Sequence, residues 1–582
     1  MTTARQTTGA QKPSTSKQRP DEPEFAWLKT YPAGVRWDAD FQPQPLGRML
    51  DDTVNRYPDR NCTYFLGKTM TYREIGALAD RAARGLQDMG VGKGTKVGLL
   101  LPNCPTYVIF FYAILKAGGT VVNFNPLYTV EELTHQVEDS GTEIMVTLDL
   151  KVLFEKVDAL LAAATLPKAV VCPFAALLPS LKSVLFRLFK SREVAKPQRS
   201  PQAARITDET AVLANDGGVL EPDILPHEDV AVLQYTGGTT GTPKGAMLTH
   251  ANLTINVQQV EAWATDLDRG NERIMGILPF FHVFGMTTVL NFSVAVGGEM
   301  VLMPKFELIN ALELIDKTKP TVLPGVPTLY NAMMHHPELD KYDLSSLRFC
   351  ISGGAPLPIE VKRGFETLSG CKLVEGYGLS ETSPVATCNP LDGPIKEGSI
   401  GVPLPATVIS IRAIDEPEKE LATGENGEIC IAGPQVMTGY WEKPEDNEDV
   451  FVGEFLRTGD VGHMDEDGFT FIVDRLKDMI NCSGFKVYPR RVEEAIYEFP
   501  AVEEVTVIGI PDAYRGEAPK AFIKLRKGET ATTDEIFAFL KPKISKLEMP
   551  SEIEFRDELP KTMVGKLSKK ELRAEAEGGA TS

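Results

Sequence analysis

Apolar and polar positions along the chain fall into two textures, and the change comes near residue 400. Before it, helical stripes alternate with short apolar runs. Thr71-Tyr72-Arg73-Glu74 has the spacing of a capping box, and Ile75, Leu78, Ala79, Ala82 and Leu86 recur on one helical face. Gly90-Val91-Gly92 closes that helix, and the run from Lys96 to Pro102 reads as a buried parallel strand. A second helix from Thr106 to Ala117, stopped by Gly118-Gly119, leads to a strand at Thr120–Phe124. Further runs at Glu143–Thr147, Val230–Leu233, Thr321–Leu323 and Leu347–Ile351 keep the alternation going. That order predicts an α/β fold of layered sheets. Past residue 400 the pattern becomes short β-runs and turns, at Val408–Ile411, Gly427–Ile431 and Gly468–Val473, which predict a small β-barrel-like part. Asp474-Arg475-Leu476-Lys477-Asp478 is a charged joint between two apolar runs. Beyond it come a helix at Val492–Phe499, strands at Val505–Ile508 and Ala521–Leu525, and a helix from Asp534 to Leu547.

The expected organisation is therefore a tail over 1–23, a large N-terminal body over 24–474, and a smaller mobile α+β domain over 475–582. A chain of 582 residues exceeds what a single core usually fills. The tail is rich in Thr, Gln, Ser and Lys, a composition of disordered segments and also, when amphipathic and Arg-rich, of organelle transit peptides.

Charge and cysteine usage narrow the classes. A net charge of -19 argues against nucleic acid as partner, because phosphate backbones are held by basic surfaces. Eight scattered cysteines without a CxxC pair suit a reducing cytosol, and no apolar run reaches the 18 residues of a bilayer span. Against that acidic background, Leu181, Val184, Leu185, Leu188 and Phe189 form an apolar stripe among Lys182, Arg187, Lys190, Arg192, Lys196 and Arg199. Residues 177–192 read either as a helix on an anionic membrane surface or as one packed on its own domain.

The chemistry is densest in Tyr235-Thr236-Gly237-Gly238-Thr239-Thr240-Gly241-Thr242-Pro243-Lys244-Gly245, between a strand and a helix that begins at His250. Glycines let backbone N–H groups approach an anion, and hydroxyls and one ammonium complete the grip. A Walker A loop is excluded, since Gly245 follows Lys244 where a Mg2+-binding hydroxyl would stand. Shorter motifs follow. They are His282 among aromatics in Pro279–Gly285, the small residues Ser352-Gly353-Gly354-Ala355-Pro356 after a strand, and Glu375-Gly376-Tyr377-Gly378-Leu379-Ser380-Glu381-Thr382. Tyr377 can stack on a base, Thr382 can bond a phosphate, and Glu381 offers Mg2+ a hard oxygen. Thr458-Gly459-Asp460 presents a carboxylate able to accept both hydroxyls of a ribose. Ser483-Gly484-Phe485 and Pro560–Lys566 complete the set, and taken singly most of these motifs are ordinary.

In this order, from about residue 45 to 575, they resemble the AMP-forming adenylate-forming acyl-CoA synthetases, which share their fold with luciferases and nonribosomal adenylation domains. Gly439-Tyr440-Trp441 and the run Asp474–Ile480 into Val487-Tyr488-Pro489 look most like bacterial long-chain fatty-acid–CoA ligases. The resemblance implies activation of a fatty acid by ATP to acyl-AMP and pyrophosphate, then displacement of AMP by coenzyme A. It implies catalytic roles for Lys566, Lys244, His282 and Glu381, and phosphate contacts from Thr236, Gly237, Gly238, Thr239, Thr240, Lys244 and Thr382. Gly353, Gly354, Ala355 and Tyr377 would frame adenine, and Asp460 with Arg475 the ribose. Glu381 would hold Mg2+, Lys477 would be the hinge, and Gly484 would clear a path for the thiol. The resemblance also fits a homodimer, the cysteine usage a cytoplasmic enzyme, and the membrane reading of 177–192 would put that enzyme in peripheral contact with the inner membrane face. Rival second steps are a medium-chain or aryl-acid CoA ligase, or loading of a carrier protein.

Overall fold

The computed structural model describes residues 25–236, 243–483, 485–512, 514–562 and 566–578. Two large sheets dominate. In the seven-stranded sheet, Lys96–Leu100 is central and pairs in parallel with Thr120–Asn123 and Ile144–Leu148. Lys168–Cys172 and Ile206–Asp208 extend one side, and Val230–Thr236 and Lys244–Thr249 the other, the last strand alone being antiparallel. The nine-stranded sheet has a parallel centre running Lys372–Gly378, Phe349–Ser352, Val322–Gly325, Arg273–Gly276, Glu299–Leu302, Asn61–Phe65, with antiparallel edges. Parallel strands covered on both faces need continuous apolar runs, which is what the sequence supplies.

The expected capping box is present: Thr71 accepts from the Glu74 N–H, and the Glu74 carboxylate takes the Thr71 N–H at 2.7 Å. The helix it starts, Tyr72–Asp88, packs on Pro105–Lys116, which is buried all round from Pro105 to Leu115. Phe110 and Phe111 each contribute about 1.5–3 kcal/mol there by leaving water.

The region past 400 forms a five-stranded antiparallel sheet from Val408–Arg412, Gly427–Ala432, Phe451–Val452, Phe455–Met464 and Thr470–Arg475. A last five-stranded sheet, from Ile480–Cys482 through Glu552–Phe555, closes over its own core of Ile480, Val492, Ile496, Val505, Val507 and Ile523. A separate core is the physical basis of a separate lobe. One helix is shorter than its pattern predicts. Thr533–Leu540 stops well before Leu547, because Pro542 lacks the N–H and clashes with the preceding turn. All eight cysteines are free and buried, and no helix among the described residues is long and apolar enough to cross a membrane.

Candidate active site

The site is built from strand ends. Lys244 opens the strand Lys244–Thr249, directly opposite Thr236 in register, so the two mark the mouth of the phosphate loop. Gly237, Gly238, Thr239 and Thr240 lie outside the described residues, as does Gly484. Lys244 pairs with the Asp446 carboxylate and lies 5.4 Å from the centre of the Tyr440 ring. The Tyr440 hydroxyl donates to Glu381 Oε1 at 2.6 Å. Lys244, Tyr440 and Glu381 thus form one polar cluster, held by an extra strand contact: the Met247 N–H bonds the Gly439 carbonyl, and the Trp441 N–H the Gly245 carbonyl, at 2.9 and 2.8 Å. That explains the Gly439-Tyr440-Trp441 motif as the segment that braces the strand behind the loop. Asp446 had no signal in the sequence, since it sits in an acidic, polar helix of ordinary appearance. Thr382 is drawn away from the cleft. It is fully buried, and its hydroxyl bonds the Leu379 N–H at 2.9 Å and the Pro384 carbonyl, which holds the turn rather than a ligand.

The opposite wall is the Asp460 hairpin. Asp460 and Arg475 are cross-strand partners, with Arg475 Nε 2.9 Å from Asp460 Oδ1. The Tyr377 hydroxyl donates to Asp460 Oδ2 at 2.7 Å, so the residue expected to stack on a base also fixes the carboxylate beneath it. Burial and the Asp460 charge push the Tyr377 phenol well above its usual value. Lys477 stands exposed in the turn just after Arg475.

Lys566 closes the site from the other lobe. Gly354 has φ +81°, and a Cβ there would lie 2.6 Å from Lys566 Cε and 3.1 Å from its Nζ, so the end of the lysine side chain sits over Gly354. Gly353 is likewise restricted, since a Cβ would meet the Phe284 ring at 2.9 Å. Ala355 follows, half-buried. Burial first, then the Arg475 charge, lowers the Lys566 ammonium to about 8, with Asp460 opposing. His282 is lowered to about 3 by burial and then by the Lys566 charge. Its Nδ1 accepts the Phe284 N–H at 3.3 Å, which puts the proton of the neutral ring on Nε2. Lys566, Gly354, His282, Asp460 and Arg475 are therefore one neighbourhood, assembled from both lobes.

A family model for AMP-binding enzymes matches residues 50–441, and one for their C-terminal domain matches residues 491–566. The chain belongs to the AMP-binding enzymes. Among relatives, this AMP-binding enzyme is 45% identical to a long-chain-fatty-acid–CoA ligase of Bacillus subtilis, over 94% of this chain and 98% of that one. It is 37% identical to a long-chain-fatty-acid–CoA ligase of Escherichia coli, over 95% and 98%. Among solved structures it resembles an anthranilate CoA ligase in complex with anthranoyl-AMP, with a TM-score of 0.81, 26% identity and coverage of 94% and 100%. It also resembles ATP-bound MatB from Rhodopseudomonas palustris, with a TM-score of 0.78, 29% identity and coverage of 91% and 98%.

Proposed function

We propose that this AMP-binding enzyme activates long-chain fatty acids: acid and ATP give acyl-AMP and pyrophosphate, and coenzyme A then displaces AMP to give acyl-CoA. The observation that carries the reading is the end of the Lys566 side chain seated over Gly354, beside the Asp460–Arg475 pair. A carboxylate and a triphosphate repel each other, so adenylation needs fixed positive charge where the two meet. Lys566 supplies it to the attacking carboxylate oxygen and the α-phosphate. Lys244, with Thr236 and the glycine–threonine loop, grips the β- and γ-phosphates, exchanging its present partner Asp446 for phosphate oxygens. Asp460 accepts the ribose hydroxyls, oriented by Tyr377 and Arg475. His282, neutral at physiological pH, offers its Nε2–H as a donor without adding charge.

Glu381 fits Mg2+. Its Oε1 is the acceptor for Tyr440, and among the described residues no set of three His, Cys, Asp or Glu competes for a metal. A lone carboxylate is what Mg2+ needs when phosphates provide most of its ligands. When bound there, Mg2+ supplies charge that neutralises the departing pyrophosphate.

The second step calls for a different arrangement, in which Lys566 leaves and Gly484 presents a side-chain-free path for the thiol; Lys477, in the turn between the lobes, is the pivot. We place the enzyme in the cytoplasm as a homodimer, in peripheral contact with the inner membrane face through 177–192. ATP–pyrophosphate exchange with straight-chain acids from hexanoate to oleate, and with benzoate, tests the reading. Exchange should be greatest with the long acids, and adding coenzyme A should yield acyl-CoA. A maximum with benzoate or hexanoate, or exchange with no thioester formed, overturns it.

A further inference from the structure

The helix Ser180–Phe189 presents an inversion of ordinary packing. None of its residues is buried, and Leu181, Val184, Leu185, Leu188 and Phe189 stand 73, 55, 43, 67 and 78% exposed on one stripe. Its other side is fastened down. The Phe186 ring packs on Phe174 at 5.1 Å, and Phe174 on Phe65 at 6.4 Å. Ser183 donates to the Ala175 carbonyl at 2.7 Å, Lys182 to Leu66 at 2.9 Å, and Lys68 to Ala176 at 2.8 Å. The apolar stripe is thus held outward by a rigid mount. The same stretch carries Lys182, Arg187, Lys190, Arg192, Lys196 and Arg199; Lys182 belongs to the mount, and Lys190 pairs with Glu193, the single acid from 180 to 199. An exposed apolar stripe with a run of cations in the same stretch of chain, in a protein of net charge -19, fits an anionic lipid bilayer.

The mount also fixes direction. Phe65 ends its strand in register with Leu302 and Gly276 of the two neighbouring parallel strands. His282 follows Gly276 by six residues. The support of the helix and the root of the His282 segment are therefore two strands apart, about 10 Å. In the other large sheet the chain leaves Cys172 toward this helix at the same edge where Val230–Thr236 runs into the phosphate loop. We infer that this helix seats the enzyme on an anionic bilayer with the carboxyl edges of both large sheets turned to the lipid, so that the acid passes from membrane to site directly. This rests on the fatty-acid reading and on the membrane contact proposed with it, and adds the orientation and the route.

The test uses the full chain with vesicles of phosphatidylcholine alone or mixed with phosphatidylglycerol. Sedimentation without ATP or fatty acid should show binding to the mixed vesicles, weakened by salt. Leu188→Glu/Phe189→Glu and Arg187→Glu/Lys190→Glu should each weaken it at least about tenfold. Hydrogen exchange on vesicles should protect 180–192 and Leu66–Gly67 but not residues 318–320, at the amino edge. Turnover of oleate dissolved in mixed vesicles should fall at least about fivefold in both variants, while turnover of water-dissolved octanoate stays at wild-type level. Unchanged sedimentation overturns the docking, protection of 318–320 overturns the orientation, and unchanged vesicle-oleate turnover despite lost binding overturns the route. Wild-type enzyme that binds vesicles yet activates neither acid refutes the fatty-acid reading instead.

Discussion

Lys566 holds its charge where water is scarce, and that sets both its usefulness and its pH limit. Its ammonium, lowered to about 8, is mostly protonated near neutrality and is lost as pH rises through that value. The rate of adenylation should therefore fall above about pH 8, and Lys566→Arg should remove that limb while lowering the plateau; a pH profile of pyrophosphate exchange checks it. Gly354 is restricted twice over, by φ +81° and by the end of the lysine side chain, 2.6 Å from where a Cβ would stand. Left-handed backbone costs a side chain about 1–2 kcal/mol, and the methyl would push Lys566 off its seat. Gly354→Ala should slow adenylation about tenfold or more with a change in Tm of only a few degrees, read by exchange kinetics and calorimetry. Such residues were legible as types. Glycine after a strand and a late lysine could be named from the sequence, whereas their contact, made across 212 positions, could not.

Among elements, the hairpin of Phe455–Met464 and Thr470–Arg475 turns two distant-looking motifs into one device. Register alone sets Arg475 opposite Asp460, and Tyr377 reaches over from the nine-stranded sheet. A hydrogen bond to a charged group contributes about 1.5–3 kcal/mol, so Tyr377→Phe should raise the KM for ATP about tenfold with a smaller change in kcat, measured by steady-state exchange. Glu375, on the same strand as Tyr377, is buried, and burial pushes its carboxyl up to about 7 while Arg490 of the smaller lobe opposes the shift. A raised carboxyl stabilises the fold in its protonated form. That stabilisation is complete below the ordinary range and is lost as pH rises through about 7. Relative to Glu375→Gln, the wild-type Tm should fall between about pH 5 and 8; parallel Tm profiles would refute the role of this ionisation. Periodicity found most of these elements, and it failed at Thr533–Leu540, where Pro542 overrode the stripe.

At the scale of the whole molecule, two bodies with separate cores share one site. The joint between them carries single hydrogen bonds: the Leu476 N–H bonds the Gly459 carbonyl at 2.9 Å, and the Arg490 N–H bonds Asp474 Oδ2 at 2.9 Å. A joint of that kind suits rotation between two poses. Lys566→Ala should then lower acyl-AMP formation by about a hundredfold or more while conversion of supplied acyl-AMP to acyl-CoA stays within a few-fold of wild type. Gly484→Trp should do the reverse. Measuring the half-reactions separately decides it, and equal loss in both would mean that Lys566 serves the fold rather than the first step. How the site is shared was partly legible. The charged run 474–478 marked a joint, and the order of the motifs implied that Lys566 serves the same site as Gly354 and His282, but the seat of its side chain over Gly354 came only with the fold.

Local chemistry and periodicity belong to the sequence. Capping residues, apolar runs and the glycine–threonine loop fix element types and the two-texture layout, because each depends on neighbours within a few positions, and the order of the motifs along the whole chain fixes the family. Contacts between distant residues belong to the fold. The pairing of Lys244 with Asp446, the inward turn of the Thr382 hydroxyl and the outward stripe of Ser180–Phe189 all depend on which surfaces are left uncovered once the sheets have packed. An amphipathic pattern states that one face is apolar; only packing decides whether that face meets the core or the solvent.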